Sequence, residues 1–121
     1  MNKNVNSTRY FSNNQEQLVC KVLGAKQQPN SGATKFRPGD CVVEDASLLI
    51  ECKTSMKEKN SYSIKKEVLD KNKKEAFETR LSSNCVCFDF GPNTDRYYII
   101  DEKMMKFLVE KLIEENNAYG L

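Results

Sequence analysis

The chain has 121 residues, of which 39% are hydrophobic and 30% charged, a composition typical of one folded domain and not of a disordered chain. Its net charge is +2, and no apolar run approaches the length of about 20 residues that a membrane helix needs, so we expect no membrane partner. Histidine is absent, which removes the commonest general base and transition-metal ligand. Hydrolytic chemistry in this chain would therefore use carboxylates, lysine and a hard cation such as Mg²⁺.

The charges are unevenly distributed. Residues 1–80 contain 15 Lys and Arg against 10 Asp and Glu, whereas residues 81–121 contain 4 against 7. The basic excess of the first part favours an anionic partner there, although lysines that only solvate helix faces would produce the same excess.

The first predicted helix has Ser12 as its N-cap and Gln15 as the capping-box partner, and it ends near Leu23, before Gly24. Glu16 lies at the edge of the apolar stripe of this helix rather than opposite to it. A carboxylate that is turned partly inward needs a partner, so Glu16 is a candidate functional residue.

The next segment, residues 25–39, contains two prolines and two glycines and cannot be regular throughout, although a short extra strand fits near 26–29. It is also basic, and Lys26, Lys35 and Arg37 could bind the phosphates of a DNA backbone. A solvated loop without a ligand is the alternative.

A hairpin is predicted over residues 40–54, with a tight turn at Asp45-Ala46. This turn places Asp40 opposite Glu51, and a four-residue loop closed by Val43 and Leu48 would keep the same register. Opposed side chains have Cβ atoms about 5 Å apart, so the two carboxylates repel each other unless a proton or a cation lies between them. Lys53 follows Glu51 by two residues and projects from the same face.

A second helix is predicted to begin after Ser63 and to run to about Arg80. Lys65 and Lys66 lie at its start, where the helix dipole disfavours cations. A bound phosphate would offset this unfavourable placement, so both lysines are candidate DNA-binding residues. The aromatic residues do not alternate with basic ones as in a base-stacking array, and we expect core or dimer contacts for Phe36, Tyr62, Tyr97 and Tyr98.

The C-terminal part is predicted to contain strands over 85–90 and 96–100 and a last helix capped by Asp101. The apolar face of this helix is expected to pack, and consists of Met104, Met105, Phe107, Leu108, Leu112 and Ile113. These two strands and this helix are also the candidate dimer interfaces. The order is α-β-β-α-β-β-α, an α/β fold in a single domain over 1–121 with flexible termini at 1–11 and 116–121.

The five cysteines are odd in number and lack C-x-x-C spacing, which argues against a disulfide framework and a zinc site. Each lies in or beside an apolar stretch, so we expect free, buried thiols at Cys20, Cys41, Cys52, Cys85 and Cys87. Free thiols are typical of a reducing compartment, and residues 1–11 lack the apolar core of a secretory signal. We therefore expect a cytoplasmic protein.

The opposed carboxylates indicate a metal site. Asp40, Glu51 and a main-chain carbonyl, for which Cys52 is the candidate, suit Mg²⁺ or Mn²⁺. The cation would stabilise charge on a phosphate oxygen and activate water, and Lys53 would orient that water or stabilise the pentacovalent phosphorus. Glu16 would complete the metal shell or act on the water. The alternative is a salt bridge between Lys53 and one carboxylate, without catalysis.

A family resemblance follows from these residues. Pro38-Gly39-Asp40, ten intervening residues and Glu51-Cys52-Lys53 resemble the P-D…(D/E)-x-K signature of the restriction-endonuclease-like nucleases. With Glu16 on a first helix and Asn30-Ser31-Gly32 before the aspartate, the chain is more specifically similar to archaeal-type and phage Holliday junction resolvases. Gly39 departs from the signature, because it separates the proline from the aspartate.

The resemblance implies a central mixed β-sheet flanked by helices, with metal ligands at Asp40 and Glu51 and a catalytic Lys53. It also implies an acidic helper at Glu16 and a phosphate-binding or scissile-strand role for Ser31. The implied activity is Mg²⁺-dependent cleavage of DNA, with Mn²⁺ able to substitute, by paired symmetric nicks in four-way junctions during recombination and repair.

Such an enzyme would act in a bacterial, archaeal or phage-infected cell. A four-way junction has two-fold symmetry, so we expect a C2 homodimer. Two alternatives stay open, namely a nicking, mismatch or restriction endonuclease of the same fold, and a DNA-binding accessory protein without catalytic activity.

Overall fold

The structure, a computed structural model, describes residues 8–28 and 40–119. In chain order its elements are α1 (Thr8–Leu23), β1 (Lys26–Gln27), β2 (Asp40–Val43), β3 (Leu48–Lys53), α2 (Lys66–Glu78), β4 (Ser83–Asp89), β5 (Arg96–Ile99) and α3 (Glu102–Ala118). The predicted α/β class and element order are confirmed, and the short extra strand near 26–29 is present as β1.

The five strands form one open, mixed sheet in the order β1-β2-β3-β4-β5, and the three helices flank it. Only the central pair, β3 and β4, is parallel, and the other three pairs are antiparallel. Parallel strands cannot be joined by a tight turn, so α2 forms the crossover between β3 and β4. This crossover places α2 against β3 and β4, while α1 packs against β1, β2 and β3.

The two sides of the sheet have separate cores, because neighbouring residues of a strand point to opposite faces. On one side, which we call the α1 face, Val19 of α1 packs with Cys41, Ile50, Cys85 and Cys87. The opposite side, the α2 face, has a core built from Val42, Leu49 and Ala76. Strands with apolar residues on both faces are expected in a sheet that helices cover from two sides.

The start of α1 differs from the prediction. The helix begins at Thr8, four residues before Ser12, so the predicted capping box of Ser12 and Gln15 is wrong. Gln15 instead lies inside the helix, and its side chain bonds residues that are distant in sequence. The predicted end is confirmed, since Gly24 has a φ of 69° and its N–H donates to the oxygen of Cys20 at 2.9 Å.

The turn between β2 and β3 is longer than the tight turn predicted at Asp45-Ala46. A 3-10 turn over Glu44–Ala46 is followed by Ser47 in the left-handed region, with a φ of 50°. Val43 pairs with Leu48, so the loop has four residues. Since this is the even-numbered alternative, the predicted register is preserved.

The two C-terminal helices begin near their predicted starts. Lys65 is the N-cap of α2, and Asp101 is the N-cap of α3, where its Oδ1 accepts from the N–H of Met104 at 2.9 Å. α2 ends at Glu78, two residues before the predicted Arg80. α3 continues to Ala118, into the segment 116–121 that the sequence predicts to be a flexible terminus.

The expected packing of α3 within the chain is wrong. Met104 is the only residue of α3 that is not exposed. The other five residues of its predicted packing face, which are 41% to 62% exposed, are Met105, Phe107, Leu108, Leu112 and Ile113. A helix packs within a chain only where another element covers its apolar side, and α3 makes few contacts with the sheet or the other helices.

Candidate active site

Asp40 and Glu51 are directly opposed in the β2–β3 hairpin, as the register analysis predicts. Asp40 is 1% exposed and Glu51 is 9% exposed, so both carboxyl groups are withdrawn from bulk water. Strand alternation places them on the α2 face, with Val42 and Leu49. Two carboxylates at this separation with little solvent screening favour the binding of a cation.

Lys53 lies next to this pair on the same face. Its Nζ is 3.6 Å from Oε2 of Glu51, and its side chain is half-buried. The salt bridge considered as an alternative to catalysis is therefore present in the structure.

Glu16 approaches the same end of β2 from α1. It is 8% exposed, and its Oε1 accepts from Nε2 of Gln27 at 3.5 Å. Its main-chain oxygen lies 3.9 Å from the Sγ of Cys41, the residue after Asp40. The structure thus brings Glu16 to the α1 side of the hairpin, within one residue along β2 of the predicted metal ligand.

Two buried polar residues that the sequence analysis did not assign to the site support the end of β3. Nε2 of Gln15 donates to the main-chain oxygen of Lys53 at 2.8 Å and to Oδ2 of Asp89 at 3.0 Å. The Asp89 carboxylate also accepts from Oγ1 of Thr54 and from the main-chain N–H groups of Ser55 and Gly91. Asp89 therefore joins α1, the end of β3 and the turn after β4.

The sequence signals for this network are weak but present. Asp89 is a single charge in the otherwise apolar run CVCFDF, and Gln15 precedes Glu16 on the inward side of α1. A buried carboxylate needs several hydrogen-bond donors, and here the donors come from segments that are distant in sequence.

The loop that follows β3 is held against the turn after β4. The N–H of Lys59 donates to the oxygen of Phe90 at 2.7 Å. Gly91 has a φ of 135°, and a Cβ built on it would lie 2.7 Å from the Cα of Glu58. This position therefore requires glycine, both for the backbone conformation and for the close approach of the loop.

Tyr62, on the same loop, stands beside the site. Its ring stacks on Phe88, the register neighbour of Lys53, with 4.5 Å between centroids. Burial, followed by the negative charges of Glu51 and Asp89, raises the pKa of Tyr62 above its ordinary value. Tyr62 belongs to an aromatic cluster with Phe88, Phe90 and Tyr97.

The predicted DNA-binding residues are only partly described. Ser31, Lys35 and Arg37 lie outside the described residues. The predicted phosphate-binding residues Lys26, Lys65 and Lys66 are exposed.

Local carboxylates compete for two of these lysines. Lys26 is 3.7 Å from Glu44, and Lys66 is 3.0 Å from Asp70, one helical turn later in α2. The second pair offsets the unfavourable position of Lys66 at the helix start. Lys66 therefore needs no phosphate to be accommodated there.

The side-chain ligands that this site offers are the carboxylate oxygens of Asp40 and Glu51 on the α2 face. Oxygen ligands fit a hard divalent cation better than a soft one. Cys52 lies between Glu51 and Lys53, with its thiol in the α1 core, so only its main-chain oxygen could serve as a ligand. Over residues 8–28 and 40–119, no group of three or more His, Cys, Asp or Glu side chains is arranged to hold a metal ion.

A row of thiols lies behind the carboxylates, in the core of the α1 face. The Sγ atoms of Cys41 and Cys52 are 3.8 Å apart, and those of Cys20 and Cys41 are 3.9 Å apart. Hydrogen bonds with Cys41 and Cys87, and then burial, raise the pKa of Cys52 well above its ordinary value. Burial raises the pKa of Cys20 to about 11. The predicted free thiols are confirmed, with four of the five buried and Cys20 half-buried.

The chain matches no protein-family model, no curated protein and no solved structure in comparisons with each. No helix in the described ranges has the length and apolar character that crossing a membrane requires.

Proposed function

We propose that the chain is a metal-dependent endonuclease of the restriction-endonuclease-like fold that hydrolyses phosphodiester bonds in DNA. The observation that carries this proposal is the direct opposition of Asp40 and Glu51, with Lys53 3.6 Å from Glu51 on the same face. Three charged groups at the end of one hairpin match the needs of phosphodiester hydrolysis, which requires stabilisation of negative charge and an oriented water.

In this mechanism Asp40 and Glu51 would hold Mg²⁺, with the main-chain oxygen of Cys52 as a further ligand. When bound, the cation would supply Lewis acidity at a phosphate oxygen and lower the pKa of a water molecule. Lys53 presents its ammonium group to the developing negative charge or to the attacking water. Glu16, which approaches the same end of β2 from α1, would accept a proton from the water or complete the ligands of the cation.

The proposed substrate is a four-way DNA junction, cut by paired symmetric nicks. This part rests on the resemblance to Holliday junction resolvases and not on the three charged residues. Lys26, Lys65, Lys66 and the basic segment with Ser31, Lys35 and Arg37 would contact backbone phosphates. Such contacts give affinity without base recognition, as a structure-selective enzyme requires.

The decisive experiment is cleavage of a synthetic four-way junction by the full chain, in Mg²⁺, in Mn²⁺ and in EDTA. We expect cleavage with either metal and none in EDTA. Asp40→Asn should lower the rate by at least about a hundredfold, while junction binding by gel shift is retained. Asp45→Asn is the matched control, because Asp45 is exposed in the turn of the same hairpin. Rapid cleavage by folded Asp40→Asn protein would contradict the mechanism.

A comparison of four-way junction, mismatched duplex and linear duplex separates the related nuclease functions. Symmetric nicks confined to the junction support a resolvase, and preferred cleavage of either duplex supports a nicking, mismatch or restriction enzyme. The non-catalytic alternative is tested by calorimetric titration with Mn²⁺. An accessory protein would bind junction DNA, cleave none of the substrates and show no Mn²⁺ binding that depends on Asp40.

A further inference from the structure

The row of thiols in the core of the α1 face plays no part in the proposed hydrolysis. Four of the five cysteines are buried there, and Cys20, in the last turn of α1, is half-buried. The Sγ of Cys20 lies 3.9 Å from that of Cys41 in β2, which is in turn 3.8 Å from that of Cys52 in β3. The row therefore begins at a partly accessible thiol and continues into the core.

The contact between Cys20 and Cys41 suits a disulfide better than the next contact in the row. A disulfide needs sulfur atoms about 2.05 Å apart and Cα atoms within about 7 Å. Cys41 pairs with Ile50, so Cys52 is its diagonal neighbour across the hairpin, where Cα atoms are held about 7–8 Å apart. Cys20 instead reaches β2 from a helix, through side-chain packing, so its sulfur can approach that of Cys41 without a shift of paired strands.

The two thiols of this contact have complementary properties. Cys20 meets solvent, whereas Cys41 is 0% exposed and accepts a hydrogen bond from the Cys20 thiol. The hydrogen bond with Cys52 lowers the pKa of Cys41 although burial opposes the shift, and the bond with Cys20 adds to the lowering. Because the thiolate is the nucleophile in thiol chemistry, Cys41 is the better nucleophile, and Cys20 is the sulfur that a reagent from solvent can reach.

We propose that Cys20 and Cys41 are an oxidation site that forms an intramolecular disulfide when the chain meets hydrogen peroxide. The Cys20 thiolate attacks the peroxide, the O–O bond breaks, hydroxide leaves and Cys20 becomes a sulfenic acid. The Cys41 thiolate then attacks the Cys20 sulfur, so that the S–S bond forms, the S–O bond breaks and a second hydroxide leaves. With two protons from the thiols, one peroxide thus yields one disulfide and two water molecules. The first step is slow at neutral pH, because burial raises the pKa of Cys20 to about 11.

The disulfide ties α1 to β2 behind the opposed carboxylates. Cys41 follows Asp40 in the sequence, and Cys20 lies one helical turn after Glu16. Cys41 is also the register partner of Gln27 in β1, so the bond closes a covalent ring around the basic segment between β1 and β2. The proposal does not depend on nuclease activity, because thiols can be counted without DNA.

Thiol counting on the reduced full chain, before and after treatment with millimolar hydrogen peroxide, tests the pair. We expect the count in denaturant to fall by two from the original five, and dithiothreitol to restore it. Digestion after lysine and glutamate places Cys20, Cys41 and Cys52 on separate peptides, since Lys21 and Glu44 lie between them. Mass spectrometry without reduction should find the Cys20 peptide joined to the Cys41 peptide. An unchanged thiol count, another intramolecular pairing or a cross-linked dimer would overturn the proposal.

Two variants separate the steps of the oxidation. Cys20→Ser should lose thiols at least about tenfold more slowly than the unchanged chain, because the accessible sulfur is gone. Cys41→Ala should stop at the sulfenic acid of Cys20, which dimedone traps. Cys85→Ala is the matched control, since Cys85 is 3% exposed in the same core and should leave the disulfide intact.

Circular dichroism of each reduced variant verifies its fold before the oxidation. If Cys41→Ala does not fold, the comparison of Cys20→Ser with the unchanged chain still decides the outcome, because Cys20 is only half-buried. Equal rates of thiol loss in these two proteins, or a folded Cys41→Ala chain without a dimedone adduct at Cys20, would show that oxidation does not begin at Cys20.

Discussion

The side-chain amide of Gln15 lies 2.8 Å from the main-chain oxygen of Lys53 and 3.0 Å from the Asp89 carboxylate. This contact ties α1, which carries Glu16, to the end of the strand that carries Lys53. We regard Gln15 as a positioning residue, because its hydrogen bonds go to the main chain beside the proposed site and not to its charged groups.

Gln15→Leu should lower the free energy of unfolding by about 1–3 kcal/mol, because the Lys53 oxygen and the Asp89 carboxylate each lose a donor. Junction cleavage should show a lower kcat with little change in KM, since Lys53 loses its alignment while DNA contacts stay. Gln17→Leu is the matched control on the exposed side of α1. Equal kinetics for the two variants would exclude a positioning role.

Asp89→Asn should destabilise the fold by about 2–4 kcal/mol, since an amide accepts fewer and weaker hydrogen bonds than a carboxylate. Part of this loss comes from the main-chain N–H groups of Ser55 and Gly91, which would face a neutral group. Urea denaturation measures the change, with the exposed Asp95→Asn as control. A loss no larger than that of the control would show that the Asp89 charge is unimportant.

Gly91→Ala should cost about 1–3 kcal/mol of stability because it combines a disfavoured φ with a collision. The new Cβ would meet the Cα of Glu58 at 2.7 Å. Gly24→Ala separates the two effects, since Gly24 has a φ of 69° but nothing within 4 Å of its Cβ position. We expect faster proteolysis of the loop around Glu58 in Gly91→Ala alone. Identical proteolysis of both variants would argue against the close approach.

Stability should fall at alkaline pH through the buried thiols. Burial raises the pKa of Cys85 from 9.0 to about 12. Above pH 9.0 the unfolded chain therefore loses this proton while the folded chain keeps it, so the contribution is full below pH 9.0 and is lost as the pH rises towards 12. Urea denaturation across this range measures the loss, and alkylation of the native protein should be slow. Rapid alkylation of Cys85 at neutral pH would contradict the burial argument.

The hairpin shows how much of the site could be predicted. An even-numbered loop of either length pairs Asp40 with Glu51, so an error in the turn left the register unchanged. Lys53 follows from strand alternation. The local periodicity of apolar residues, together with residues that end or cap helices, also predicts the element order, the end of α1 at Gly24 and the cap at Asp101.

Other features depend on segments that meet only in the folded chain. Gln15 was interpreted as a capping residue, because the sequence of α1 cannot reveal that Asp89 and the Lys53 oxygen lie beside it. The aromatic contact between Tyr62 and Phe88 likewise joins a loop to a strand 26 positions later in the sequence.

The sequence alone determined the amphipathic character of α3, but not what covers it. Its apolar residues indicate that a face will be buried, since periodicity is a property of the helix itself. Whether that face packs inside the chain depends on where the crossover and the strand order leave the helix. The tertiary structure places α1 and α2 on the two sides of the sheet and leaves α3 largely uncovered. The opposed Asp40 and Glu51 were predictable because a hairpin pairs residues by counting, whereas the covering of α3 and the support of Lys53 required the packing of distant segments.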